Sequence, residues 1–185
     1  MPATARVPAP KTEGAPAKMS HYVLRTSRRA EMHAWYLNVL GAETMFESDY
    51  ISFLTYDDEH HRIAFISHKD LRDVDPAAAG LDHVAFTYHK LGELIAAYDR
   101  LKGQGIMPVW QVNHGPTTSL YYRDPDGNKV ELQVDNFATV ADLNAWFATG
   151  AFNRNARGID INMDDLGARW RAGAPEADLL RPMQT

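Results

Sequence analysis

Cysteine is absent from the 185 residues, and this removes disulfides, thiolate zinc sites, iron–sulfur clusters and cysteine nucleophiles together. Any transition metal must therefore be held by His, Asp or Glu. Long hydrophobic runs are missing as well: no apolar stretch approaches the roughly 18 residues that a membrane-spanning helix needs, so no membrane association is expected. Basic charge is short, with 19 Lys and Arg against 24 Asp and Glu and a formal net charge of −5. That balance argues against nucleic acid as a partner, because phosphate contacts need clustered cations. No continuous apolar core follows the N-terminal basic residues, as a secretory signal would require, and the expectation is a cytoplasmic protein. With 45% hydrophobic and 23% charged residues, the chain has the composition of a globular protein and the length for one packed core. What it has in number is histidine, 8 in all.

Residues 1–18 are rich in Ala and Pro and lack an amphipathic period, which predicts a flexible N-terminal arm. Beyond them the chain repeats itself. HYVLRTSRRAEMHAWYLNVLG, His21 to Gly41, aligns at a constant offset with HVAFTYHKLGELIAAYDRLKG, His83 to Gly103, so that His21, Glu31, Ala34, Tyr36 and Gly41 meet His83, Glu93, Ala96, Tyr98 and Gly103. Such self-similarity marks a duplicated structural unit. Each copy opens with an alternating, strand-like segment, passes into a helical pattern and closes on a glycine suited to a helix C-cap. Ser27 is the expected N-cap of the first helix, whose apolar stripe is Met32, Trp35, Tyr36, Val39 and Leu40; Leu91, Leu94, Ile95, Tyr98 and Leu101 form the second stripe. Three strands are expected after each helix: Glu43–Glu47, Ile51–Tyr56 and Arg62–Ser67, then Met107–Val112, Ser119–Arg123 and Lys129–Val134, with DPDGN at Asp124–Asn128 as a strong turn. The fold class is α+β: two βαβββ modules, about residues 19–70 and 80–137, forming a cupped mixed sheet around one metal site. A tail over residues 138–185 carries helices near Ala141–Phe147 and Met163–Ala172, with Gly173 at the second C-cap and a loosely ordered end.

Strand alternation sorts the side chains by face. His21, Val23 and Arg25 share one face of the opening strand; His83, Ala85 and Thr87 do so in the second copy, and Lys129, Glu131 and Gln133 in the last strand. The opposite faces are apolar. Two imidazoles and a carboxylate drawn from three strands are the donor set of a facial triad, which suits Fe(II) or Mn(II) and leaves coordination positions open. Surface or cap roles are expected for His33, His60, His61 and His89. Phe53, Phe65, Trp110 and Phe137 are candidates for an aromatic pocket wall, with core packing the default for each.

SHYVLRT (Ser20–Thr26), WYLNVLGAE (Trp35–Glu43), GLDHVAF (Gly80–Phe86) and SLYYRDPDGNKVELQ (Ser119–Gln133) resemble the vicinal oxygen chelate superfamily. Within it the chain is most similar to one-domain type I extradiol dioxygenases, over about Met19 to Phe137. The resemblance implies that His21, His83 and Glu131 are the metal ligands. It also implies that His68 and His114 are active-site histidines and that a tyrosine ten positions before the glutamate, Tyr121, contacts substrate. Tyr122 points to the opposite face, and strand position alone does not separate the two. Ala64 stands where the first module would need a carboxylate matching Glu131, a departure from the glyoxalase I pattern that leaves one three-ligand site per chain.

The function so implied is extradiol cleavage of a catechol-type diol, mono- or bicyclic, by dioxygen at a two-His, one-Glu centre holding Fe(II), with Mn(II) the other candidate. A histidine, with an ordinary pKa of about 6.5, can take a proton from a catechol and return one to bound oxygen; that role falls to His68, with His114 and Tyr121 hydrogen-bonding the substrate oxygen. The alternatives are a non-oxidative isomerase, epimerase or fosfomycin-type transferase of the same superfamily, or a metal-free binding protein. The exposed edges of a sheet further predict a homo-oligomer.

Overall fold

The structure is a computed structural model that describes residues 13–75 and 77–181. Residues 1–12 of the expected arm, and the last four of the tail, lie outside the described residues. Residues 13–20 are exposed and form no helix or strand; within them Lys18 pairs with Glu59.

The first module runs β1 (Tyr22–Thr26), α1 (Arg29–Leu40), β2 (Glu43–Glu47), β3 (Ile51–Thr55), β4 (Ile63–Ser67), and the second β5 (His83–Tyr88), α2 (Leu91–Gly103), β6 (Trp110–Asn113), β7 (Thr117–Arg123), β8 (Lys129–Asp135). The two βαβββ sequences form two sheets, of order β1-β4-β3-β2 and β5-β8-β7-β6, and the tail extends the second with β9 (Ile159–Asp160) beside β6. The identical order is the duplication seen at the level of topology. The rest of the tail is α3 (Val140–Ala148), α4 (Ala151–Arg154), α5 (Met163–Arg171) and α6 (Glu176–Leu179). No helix among the described residues is long and apolar enough to cross a membrane.

Contacts divide the chain into two compact units. One holds the described residues up to His83 together with Arg123–Lys129; the other holds Val84–Tyr122 and the described residues from Val130 onward. In the first, β1 and β4 pair in parallel with Val23 opposite Ala64, and β3 runs antiparallel to both β4 and β2. Met32, Tyr36 and Val39 of α1 are buried, with Leu54, Ile63, Ala64 and Phe65 from the strands. Phe65, fully buried, packs against Tyr36 with the rings tilted by 53° and their centroids 5.2 Å apart, which makes it core rather than pocket wall. The DPDGN turn is bonded to itself: the Asp124 carboxylate accepts from the backbone N–H of Asp126 and Asn128 and from the Asn128 side chain, at 2.8–3.0 Å. Tyr36 Oη donates to the same carboxylate at 3.1 Å. Burial pushes the Asp124 carboxyl above its ordinary range, against the hydrogen bonds that lower it.

The helix ends differ from expectation in three places, one of them α5, which ends at Arg171 and caps at Ala172 rather than Gly173. Arg28, not Ser27, is the N-cap of α1, and its N–H donates to Thr26 Oγ1 at 2.9 Å. The second helix includes Gly103 and caps at Gln104, with the left-handed turn at Gly105. Gly41 does close α1 in the left-handed region, at φ 61°. A side-chain pattern fixes the face of a helix better than its last residue, because helix ends fray and exchange caps at little cost.

In the second unit every residue of the expected α2 stripe is buried. The tail helix α5 docks on α2 through Lys102 to Asp164, at 2.6 Å, and Arg171 to Asp99, at 2.9 Å. Trp170 closes on Gly92, where an added Cβ would lie 2.6 Å from the indole. The chain after Gly173, expected to be loose, instead forms α6 and buries Leu179 and Leu180, with Asn113 Nδ2 donating to the Leu180 carbonyl at 3.3 Å.

Candidate functional site

Each candidate side chain is placed by its own strand. His21 stands just before β1, exposed on the face shared with Val23 and Arg25. Its ring lies 4.2 Å from that of His61, and His61 in turn stacks on Phe53 at 4.3 Å with the planes 13° apart. His61 is therefore not a free surface residue: burial, then the neighbouring His21 and His60, hold its pKa below the ordinary value. The chain entering β1 is tied down by Arg62. Its guanidinium grips the Asp57 carboxylate at 2.9–3.0 Å and donates to the carbonyls of Met19 and Ser20 at 2.7 and 3.1 Å.

His83 opens β5 half-buried, with Nδ1 2.6 Å from the Asp82 carboxylate, which Lys129 Nζ also reaches at 3.0 Å. The hydrogen bond from His83, and then Lys129, hold the Asp82 carboxyl below its usual range. A histidine that gives its Nδ1 proton to a carboxylate keeps Nε2 as a lone-pair donor, which is how metal-binding histidines are ordinarily oriented. Glu131, in the middle of β8, is only 4% exposed. A carboxylate at that depth is stable only when a cation or hydrogen-bond donors satisfy it. The donor chemistry of these residues fits Fe(II) or Mn(II). Among the described residues no group of three or more His, Asp or Glu converges closely enough to hold a metal ion, and His21 and His83 belong to one unit and Glu131 to the other.

His68 follows β4 and is exposed, its backbone N–H donating to the Thr26 carbonyl at 2.9 Å. His114 and Tyr121 are brought together. In the antiparallel β6–β7 pair, Tyr121 lies opposite Trp110, and the two rings stack at 5.0 Å and 21°. His114 Nε2 is 2.9 Å from Tyr121 Oη and its ring meets Trp110 edge-on at 5.2 Å. Tyr122 points the other way, fully buried beside Tyr88 and Tyr98; its hydroxyl has no hydrogen-bond partner among the described residues. Burial pushes its pKa far up. Of the two tyrosines that strand position left open, Tyr121 is the one joined to a candidate histidine.

The turn that carries His114 is braced on both sides. Asn113 Oδ1 accepts from Gly115 N at 2.8 Å and from Asn136 Nδ2 at 3.0 Å. His114 Nδ1 is 2.8 Å from the carbonyl oxygen of Arg157. Trp110 Nε1 donates to Asp160 at 2.8 Å, and the Arg157 guanidinium sits 5.1 Å over the indole. These tail residues escaped the sequence reading. They stand more than forty positions from the groups they support, and no local pattern announces them. Asp82 was more legible, being adjacent to His83. One other expectation is corrected. His33 is buried at 7% exposure, its Nε2 2.8 Å from Thr44 Oγ1, so it is a core residue of α1. Phe137 packs on Trp146 of α3 at 5.7 Å, while His60 and His89 are exposed as expected.

A duplicated βαβββ unit with one strand order in both copies, and a histidine at the head of each, defines a two-module α+β protein. A family model described as the Glyoxalase/Bleomycin resistance protein/Dioxygenase superfamily matches residues 18–132, and the chain belongs to that superfamily, the vicinal oxygen chelate proteins. It is similar to two Rhodococcus globerulus proteins. With biphenyl-2,3-diol 1,2-dioxygenase 3 it shares 43% identity over 88% of this chain and 86% of the relative. With biphenyl-2,3-diol 1,2-dioxygenase 2 it shares 42%, over 85% and 84%. Solved structures at lower identity show the fold alone. A glyoxylase/bleomycin resistance protein/dioxygenase domain from Frankia sp. EAN1pec matches at 21% identity, covering 65% of this chain and 99% of that one, with a TM-score of 0.55. A glyoxalase/dioxygenase from Nostoc punctiforme matches at 19%, covering 70% and 99%, with a TM-score of 0.54.

Proposed function

We propose that this protein is an extradiol ring-cleavage dioxygenase acting on a catechol-type aromatic diol, with a bicyclic diol such as that in the names of its relatives as the leading substrate. The observation that carries this reading is 42–43% identity to two biphenyl-2,3-diol dioxygenases over most of both chains. His21, His83 and Glu131 would hold the metal, Fe(II) in preference to Mn(II). When bound, it supplies Lewis acidity toward the two vicinal oxygens and the redox chemistry that dioxygen requires. The remaining work belongs to the side chains. His68 accepts a proton from the diol and returns one during oxygen insertion. Tyr121, hydrogen-bonded to His114, orients the substrate oxygen, and Trp110 supports the tyrosine ring. The product is the ring-opened acid with both atoms of dioxygen added and no other reactant consumed.

The fully exposed edge strand β2 supports the reading of a homo-oligomer, because an unpaired edge is a ready pairing surface. Protein loaded anaerobically with Fe(II) and mixed with mono- and bicyclic catechols in air is expected to consume oxygen and form a yellow product. No oxygen uptake across that series sinks the activity, and turnover that persists without oxygen favours the isomerase or transferase reading.

A further inference from the structure

The pair formed by His114 and Tyr121 has a direction, and the tail sets it. A carbonyl oxygen can only accept, so the 2.8 Å contact between His114 Nδ1 and the Arg157 carbonyl requires the proton on Nδ1. In the neutral ring Nε2 is then a lone pair, and Tyr121 Oη, 2.9 Å away, must donate to it. In that bond the tyrosine hydroxyl is the donor and the imidazole the acceptor. A substrate hydroxyl placed at that oxygen would find an acceptor, with His114 behind it ready to take the tyrosine proton.

The approach of the Arg157 carbonyl depends on its neighbour. Gly158 adopts φ +88°, where side-chain-bearing residues are strained. A Cβ there would fall 2.4 Å from the Asn113 carbonyl oxygen and 2.7 Å from His114 Cα. Asn155 grips both polar groups of that glycine: Oδ1 accepts from Gly158 N and Nδ2 donates to Gly158 O, each at 3.0 Å. Asp160 holds Trp110 from the same segment, and its carboxyl lies below the usual range because of that indole N–H and then Arg157.

We propose that the tail segment from Asn155 to Asp160 is a positioning element for the reaction: the Arg157 carbonyl locks His114 as the Nδ1–H tautomer, and Gly158 and Asn155 hold the carbonyl in place. Its catalytic meaning rests on the dioxygenase reading; the tautomer does not. Nitrogen-15 NMR of the full chain, kept free of paramagnetic ions, reports which ring nitrogen of His114 carries the proton. Wild type is expected to show a protonated Nδ1 and an unprotonated Nε2. Gly158→Ala is expected to shift His114 toward the Nε2–H form and lower kcat with the iron-loaded protein about tenfold, a fraction of what acid–base groups contribute, with KM little changed. Should Gly158→Ala fail to fold, Asn155→Ala loosens the same loop without a clash and is expected to move the tautomer in the same direction. A wild-type His114 protonated at Nε2, or a tautomer unmoved in the folded variants, overturns the proposal. Wild type with the Nδ1–H tautomer but no oxygen uptake overturns the dioxygenase reading instead, so the two failures are separable.

Discussion

Tyr121 and Tyr122 are adjacent on β7, and removing one oxygen atom from each should have opposite consequences. Tyr121 Oη is bonded to His114 Nε2 at 2.9 Å, while the ring keeps its stack on Trp110 whether or not the hydroxyl is present. Tyr121→Phe therefore loses one hydrogen bond and little packing, a destabilisation of about 1 kcal/mol. Tyr122 Oη is buried without a partner among the described residues. A hydroxyl in that state has lost its water and gained nothing, at a cost of about 1–3 kcal/mol, part of which the small void left by Tyr122→Phe would offset. The net expectation for Tyr122→Phe is a gain near 1 kcal/mol. For a chain of this size each kcal/mol moves the midpoint by about 2–4 °C, so thermal unfolding should place the two variants on either side of wild type. Oxygen uptake with a bicyclic catechol should fall about a hundredfold in Tyr121→Phe, in the range for loss of a proton-handling group, and stay at the wild-type rate in Tyr122→Phe. Midpoints that shift in the same direction, or uptake abolished by Tyr122→Phe and spared by Tyr121→Phe, would refute the assignment of faces and of the substrate contact.

Three further perturbations test other parts of the account. Asp57→Asn should lower stability at neutral pH by about 0.5–1 kcal/mol, the scale of a partly exposed ion pair. Because the Arg62 hydrogen bonds depress the Asp57 pKa, its contribution is complete above the unfolded-state value and is lost as pH falls through the folded one; denaturant titrations should show the two proteins converging in acid. Gly92→Ala gains up to about 1 kcal/mol of helix propensity but drives a Cβ to 2.6 Å from the Trp170 indole, an overpacking cost of about 1–3 kcal/mol. The variant should melt below wild type, and Trp170→Leu in the same chain should restore it. Glu131→Ala should sharply reduce the iron retained after desalting, measured by elemental analysis, and undiminished iron would remove this residue from the ligand set.

The repeat was legible because the same pattern recurs in both copies: an apolar stripe on the helix, alternating strands, and the matched residues His21 and His83, Tyr36 and Tyr98, Gly41 and Gly103. Glu43–Glu47 emerges as β2 with the expected bounds, and the stripe of α2 is buried throughout. Alternation also placed Tyr121 and Tyr122 on opposite faces, but only the register Trp110 opposite Tyr121 shows which face carries His114. Contacts of high sequence separation were not legible. A backbone carbonyl such as that of Arg157 carries no sequence signature, since every residue has one. The two residues of β9 have no strand pattern of their own; their pairing exists because β6 offers an edge. His33 was misplaced because a lone imidazole on a helix reads as polar, while its burial depends on Thr44 across the turn.

The most direct test of the central claim is the fate of isotopically labelled dioxygen in a reaction of the Fe(II)-loaded protein with biphenyl-2,3-diol. The account predicts a ring-opened product heavier than the substrate by two oxygen atoms, both from the labelled gas. A product carrying no label, or one formed equally well without oxygen, would contradict it.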